Sequence, residues 1–88
     1  MLKISDAETS DLDVTLRLDG EVTGRWVAVL RDSCDAALRR GTRLTLDLSH
    51  VSFADSEGIT LLRGLIDRQV RLVNASPFVA EQMKRARP

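Results

Sequence analysis

The segment Asp55-Ser56-Glu57-Gly58 concentrates the groups in this chain that are placed to do chemistry. Asp and Ser are short acceptors that cap helices, and Glu is favoured in a first helical turn. Uncapped N–H groups at such a start form a spot that favours anions. Capping alone accounts for Asp55, Ser56 and Glu57. Gly58 is the outlier, because glycine in a helix costs about 1 kcal/mol relative to alanine unless the backbone must approach something closely.

Other candidates are isolated. His50 has no second histidine and no nucleophile at a recognisable spacing, so it reads as a surface residue of a Ser49–Ser52 turn. Cys34 is the only cysteine, which excludes an internal disulfide and, with one histidine, a structural zinc site. It reads as a small core residue of a chain that fits a reducing cytosol. Asp47 alternates with core leucines, so it points to the opposite face, as a paired structural acid or as part of a partner surface. Trp26 is placed to be core or to anchor a partner. No phosphate-binding glycine loop, nucleophile elbow or spaced carboxylate pair is present. The residues suggest neither catalysis nor a cofactor or metal.

Composition narrows the class further. Thirteen basic and 13 acidic residues give a formal charge of zero over 88 residues. That argues against a nucleic-acid footprint and against attraction to anionic membranes. No apolar run approaches the ~18–20 residues of a membrane span, and MLKISDAETSD lacks the apolar stretch of a signal peptide. A cytoplasmic, single-domain chain is expected over residues 1–88. Hydrophobic residues are 43% and aromatic residues only 3%, so the core must be aliphatic.

The elements that position these groups follow from periodicity. Leu12, Val14, Leu16 and Leu18 alternate with Asp13, Thr15 and Arg17. Leu44, Leu46 and Leu48 alternate with Arg43, Thr45 and Asp47. Both read as half-buried strands. A short first strand, Leu2–Ser5, pairs with the former across an acidic turn, and Asp19-Gly20 ends that second strand. Val70–Val73 forms a fourth. Between strands the period becomes helical. Thr23 is the expected N-cap of a helix burying Trp26, Val29, Leu30, Ser33, Cys34, Ala37 and Leu38, with Arg39 and Arg40 at its end and Gly41 after it. A second helix starts at Asp55-Ser56 and buries Ile59, Leu62, Leu65 and Ile66. A third starts at Ser76-Pro77, with Val79, Met83 and Ala86 inward. The expected architecture is α/β: a four-stranded mixed sheet with three helices, ordered β-β-α-β-α-β-α, with only the opening pair antiparallel.

The run LDLSHVSFADSEGITLL resembles the signature of STAS domains, the fold of bacterial anti-sigma-factor antagonists. Leu18-Asp19-Gly20-Glu21 is similar to that family's L-x-G-E step, and Val70–Asn74 with Ser76–Met83 to its fourth strand and third helix. The resemblance spans residues 2–86 and implies a non-enzymatic, regulatory protein-binding module that acts by partner switching. It implies docking on an anti-sigma factor or GHKL-type kinase, or alternatively service as a small cytoplasmic accessory subunit on the ATPase of an ABC-type lipid transporter. Asp55, Ser56 and Gly58 match the motif's Asp, first Ser and Gly. The usual phosphoacceptor, directly before that Gly, is Glu57 here, which cannot accept a phosphoryl group. Phosphorylation at Ser52 or Ser56 is left open. The expected partner surface is the Ser49–Gly58 loop, including Ser52, with Thr60, Arg63 and Asp67 as exposed positions of the second helix. The family's usual fifth strand and fourth helix are missing, so an uncovered edge implies a weak tendency to homodimerise, unless the basic tail of Lys84, Arg85 and Arg87 folds over it.

Overall fold

The computed structural model describes residues 1–85. Seven elements follow one another: β1 (Leu2–Thr9), β2 (Asp13–Val22), α1 (Arg25–Arg39), β3 (Arg43–Ala54), α2 (Ser56–Asp67), β4 (Arg71–Val73) and α3 (Pro77–Arg85). The sheet order is β1-β2-β3-β4; β1 pairs antiparallel with β2, and β2–β3 and β3–β4 are parallel. The mixed α/β sheet with three helices expected from the alternation is therefore the fold.

Register explains why the leucines alternate. Val14 sits beside Leu44, and Leu16 beside Leu46, which in turn sits beside Leu72. Leu18, Leu44, Leu46 and Leu48 are fully buried with Leu30, Leu62, Leu65 and Val79 from the helices. Each such side chain stabilises the fold by about 1.5–3 kcal/mol. The other face of the sheet carries Asp13, Thr15, Arg17, Arg43, Thr45 and Asp47, all exposed or half-buried. Charge pairs neutralise it in part: Arg43 with Asp13 at 3.0 Å and Arg17 with Asp19 at 3.3 Å. This is a two-layer domain with its helices on the leucine face.

The structure corrects several expectations. β1 runs to Thr9 rather than Ser5, with a register shift between Asp6 and Glu8. Its acidic second half lies at a solvated sheet edge, where no alternation is required and a bulge blunts further pairing. Leu12 is exposed; it belongs to the β1–β2 turn and contributes its carbonyl, which accepts the Arg43 N–H at 2.7 Å. β2 continues past Asp19-Gly20 to Val22. Gly20 does not end the strand. It holds φ 120°, and a Cβ there would strike the Met1 carbonyl oxygen, so it lets the start of β1 lie close against β2.

Helix faces also shift. The N-cap of α1 is Gly24, not Thr23, and no side chain of its own caps it. The Gly24 N–H is instead bound by Asp55 from across the fold. Val27 is buried in α1 where Val29 was expected, and Val29 is exposed. The stripe Val27, Leu30, Cys34, Ala37 keeps spacings of three and four and leaves Trp26 half-buried, with the Arg25 guanidinium 5.0 Å from its ring centroid. In α2, Ile59, Leu62 and Leu65 are buried as expected, but Ile66 is exposed and Gly58 completes the face. β4 begins at Arg71, one residue later than expected. Val79 and Met83 pack against the core; Ala86 and Arg87 lie outside the described residues.

Candidate functional site

The site is built around the junction of β3 and α2. Asp55 caps α2: its Oδ1 accepts the Gly58 N–H at 2.7 Å, and its Oδ2 accepts the Gly24 N–H at 2.9 Å. One carboxylate thus fastens the starts of both α1 and α2. The N–H donors of Gly24 and then Gly58 hold its pKa below the ordinary carboxylate value. Gly58 is buried, and a Cβ on it would strike the Val22 carbonyl oxygen and crowd Val22 and Ala54. The Asp and the Gly of the motif are both consumed by the fold. Ser56 and Glu57, between them, are exposed.

Asp55 carries a pH signature. A carboxylate whose pKa is depressed by folding contributes stability above its unfolded pKa, and that contribution is lost as pH falls through the folded value. Asp55→Ala should therefore cost about 1–2 kcal/mol at neutral pH, and the gap to wild type should close below about pH 4. Urea melts of both proteins across that range check it; a gap independent of pH would show that the charge contributes nothing.

Two grooves flank the start of α2. One, of about 370 Å³, lies between α1 and α2 and is lined by Val27, Arg31, Ser56, Glu57, Thr60 and Leu61. The other, of about 570 Å³, lies toward α3 and includes Phe53, Ser56, Thr60 and Gln82. Gln82 fixes that side: its Nε2 donates to the Ala54 carbonyl at 2.8 Å, and its Oε1 accepts the Ala54 N–H at 3.2 Å. Phe53 and Phe78 stack beside it with ring centroids 6.2 Å apart, both exposed.

Ser56, Glu57 and Thr60, all expected surface residues, come together at the grooves. The other expected surface positions do not. Ser52 is exposed on β3, its hydroxyl 3.5 Å from the Gly20 carbonyl, and lines neither groove. Asp67 is exposed at the far end of α2, about 16 Å along the helix axis from Ser56. Arg63 is half-buried rather than exposed. His50 is not in a turn, because β3 extends to Ala54. It is exposed, with Nδ1 3.1 Å from Ser49 Oγ and 3.7 Å from Asp19.

Asp47 is a structural acid. Its Oδ1 accepts the Ser49 N–H at 2.9 Å and an Asn74 side-chain N–H at 3.3 Å, which ties the end of β4 to β3. Those bonds, Ser49 foremost, hold its pKa low. Cys34 is fully buried, and burial, reinforced by Asp35, pushes its thiol up to about 12. A thiolate is therefore disfavoured, which suits a core residue.

The sequence reasoning missed Val27 and Arg31 of the first groove and Phe78 and Gln82 beside the second; Phe53 fell within the expected Ser49–Gly58 surface without being singled out. Arg31 was visible only as one of many charges. Phe53 gave a signal: Val51 and Ala54, which flank it at two and one residues, are both buried, and that breaks strict alternation at the end of β3.

A family model described as "Mlab, STAS domain" matches residues 5–87. The chain belongs to the STAS-domain family. Among solved structures, it is similar to the anti-sigma factor antagonist SpoIIAA in its unphosphorylated form, with a TM-score of 0.74 and 23% identity over 93% of this chain and 82% of that one. At that identity the likeness is one of fold. A search of curated proteins gave no match.

Proposed function

We propose that this chain is a non-enzymatic regulatory module that docks on a protein partner through the start of α2, in the manner of an anti-sigma-factor antagonist. The observation that supports this is the division of labour within Asp55-Ser56-Glu57-Gly58. The first and last residues are locked into the fold, so the middle two are presented to a partner between two grooves. Glu57 then acts as a fixed charge where relatives of this type carry a phosphoacceptor. The partner is an anti-sigma factor or GHKL-type kinase, and the setting is cytoplasmic; among the described residues no helix is long and apolar enough to cross a membrane.

Glu57 also favours a second reading, a small accessory subunit seated on the ATPase of an ABC-type transporter. Such a role needs no phosphoacceptor at this position. Co-purification from the source cell separates them: a kinase or sigma regulator supports the first, an ABC ATPase the second, and no stoichiometric protein partner overturns both.

The surface itself is testable. Charge reversal at Asp67, about 16 Å along α2 from Ser56, tests whether the interface runs the length of the helix: binding should weaken if it does, with stability shifted by less than ~0.5 kcal/mol because the site is exposed. Reversal at Arg63 should weaken binding too, with a further loss of stability because the residue is half-buried. Titrations of both variants against the co-purified partner decide the matter, and undiminished binding by both would remove the α2 face from the interface.

A further inference from the structure

We propose that the cleft at the opposite pole of the domain binds a phosphate-bearing small molecule. The cleft, of about 420 Å³, lies where β3 and β4 begin and α1 and α2 end, and Arg43, Arg68 and Arg71 line it with Thr45. That volume suits a small ligand. Leu38 and Leu44 supply an apolar floor for an organic group beside the phosphate.

The arginines differ in how they are held. Arg43 makes a two-point pair with Asp13, Nε to Oδ1 at 3.0 Å and Nη2 to Oδ2 at 3.3 Å. Arg68 Nη1 meets Asp35 Oδ1 at 2.8 Å. Each guanidinium has five N–H donors, so both are oriented with donors to spare. Arg71 has no carboxylate partner among the described residues, and neither does the half-buried Thr45 hydroxyl have a hydrogen-bond partner there. Thr45 is the register partner of Arg71 on β3.

Helix ends account for some basic residues here. Arg39 and Arg40 stand at the end of α1, where cations complement the dipole. Arg43 and Arg71 stand on strands, where that explanation fails. They are diagonal neighbours across β3 and β4, since Arg71 pairs with Thr45, two residues beyond Arg43 on the same face. Asp13, which also lines the cleft, balances Arg43, and Asp35 balances Arg68, so Arg71 is the cation left for a phosphoryl group to neutralise, with Arg43 beside it to share the donors. Guanidinium groups present paired donors that match phosphate oxygens, and all three cations of the cleft are arginine.

The test uses inorganic pyrophosphate as probe, followed by amide chemical shifts and thermal melting of the full chain. Wild type should bind saturably, with the largest shifts at residues 42–45 and 68–71. Arg71→Ala should bind roughly tenfold more weakly, or worse, for loss of a charge-assisted contact. Arg17→Ala, an exposed cation on β2 that lines neither the cleft nor the grooves at α2, should bind as wild type does. Circular dichroism confirms that each variant folds, as expected for exposed positions. Equal binding by wild type and Arg71→Ala, or a sodium chloride titration that reproduces the effect at matched ionic strength, would overturn the site. Because the probe and the variants lie away from the start of α2, this result is independent of the docking proposal.

Discussion

Replacing Gly58 with alanine should destabilise the domain by about 2–4 kcal/mol, more than most single substitutions do. A helical glycine is ordinarily improved by that change, because alanine gains roughly 0.5–1 kcal/mol in helix propensity. Here the added methyl would be driven onto the Val22 carbonyl oxygen, with Val22 Cγ1 at 3.1 Å and Ala54 Cβ at 3.3 Å on other sides. None of these is the end of a flexible chain. Relief requires moving the start of α2 away from the end of β2, and the same movement stretches the Asp55 bonds to Gly24 and Gly58. The control lies about one and two-thirds turns on. Gly64 is exposed in the same helix and has nothing within 4 Å of an added Cβ. Gly64→Ala should therefore stabilise by about 0.5–1 kcal/mol. Urea denaturation of the two variants beside wild type reads both signs. If Gly58→Ala proved as stable as Gly64→Ala, the close packing of α2 on β2 would be refuted.

The contrast between these two glycines marks how far a sequence can be read. Both lie in one helix, and local rules assign both the same cost. What separates them is a carbonyl 36 residues upstream of Gly58. The same limit applies at α1, where Thr23 was the better cap by local preference. The acceptor that matters there is Asp55, 31 residues away in sequence, and a tertiary partner overrides propensity. The leucine alternation of β2 and β3 was legible because burial on one face of a sheet imposes period two on every residue. β1 was legible only at its start. Beyond Ser5 it is an edge strand whose residues are mostly solvated, and solvation leaves no pattern to read. Within the candidate site, Asp55, Ser56, Glu57 and Gly58 were readable because they are contiguous. Val27, Arg31, Phe78 and Gln82 reach the same place from other helices, and nothing in their own neighbourhoods announces it.

The second large effect concerns Glu57, and it tests whether the carboxylate serves the partner or only the helix. Glu57 lies in the first turn of α2, where a negative charge gains about 0.3–1 kcal/mol from the dipole. If that is its whole role, Glu57→Ser should lower the melting temperature slightly and leave partner affinity unchanged. The structure gives Glu57 a second setting. It lines the groove shared with Arg31, Val27 and Thr60, and the Asp55 side chain beside it is turned inward to Gly24 and Gly58. Glu57 is thus the acid this turn offers outward. A phosphoserine carries a charge of about −1.5 to −2 and three acceptor oxygens, so a glutamate with one charge and two oxygens reproduces it in part. A partner that reads this position as a fixed charge should respond to Glu57→Ser by a change in affinity of roughly fivefold or more, which corresponds to about 1 kcal/mol. That exceeds the stability cost and has a different origin, because serine leaves both Asp55 bonds intact. A binding titration of wild type and Glu57→Ser against the co-purified partner, run beside their melting curves, distinguishes the two roles. Weakened melting with unchanged affinity would assign Glu57 to the helix alone and would leave Ser56 and the two grooves to carry any docking.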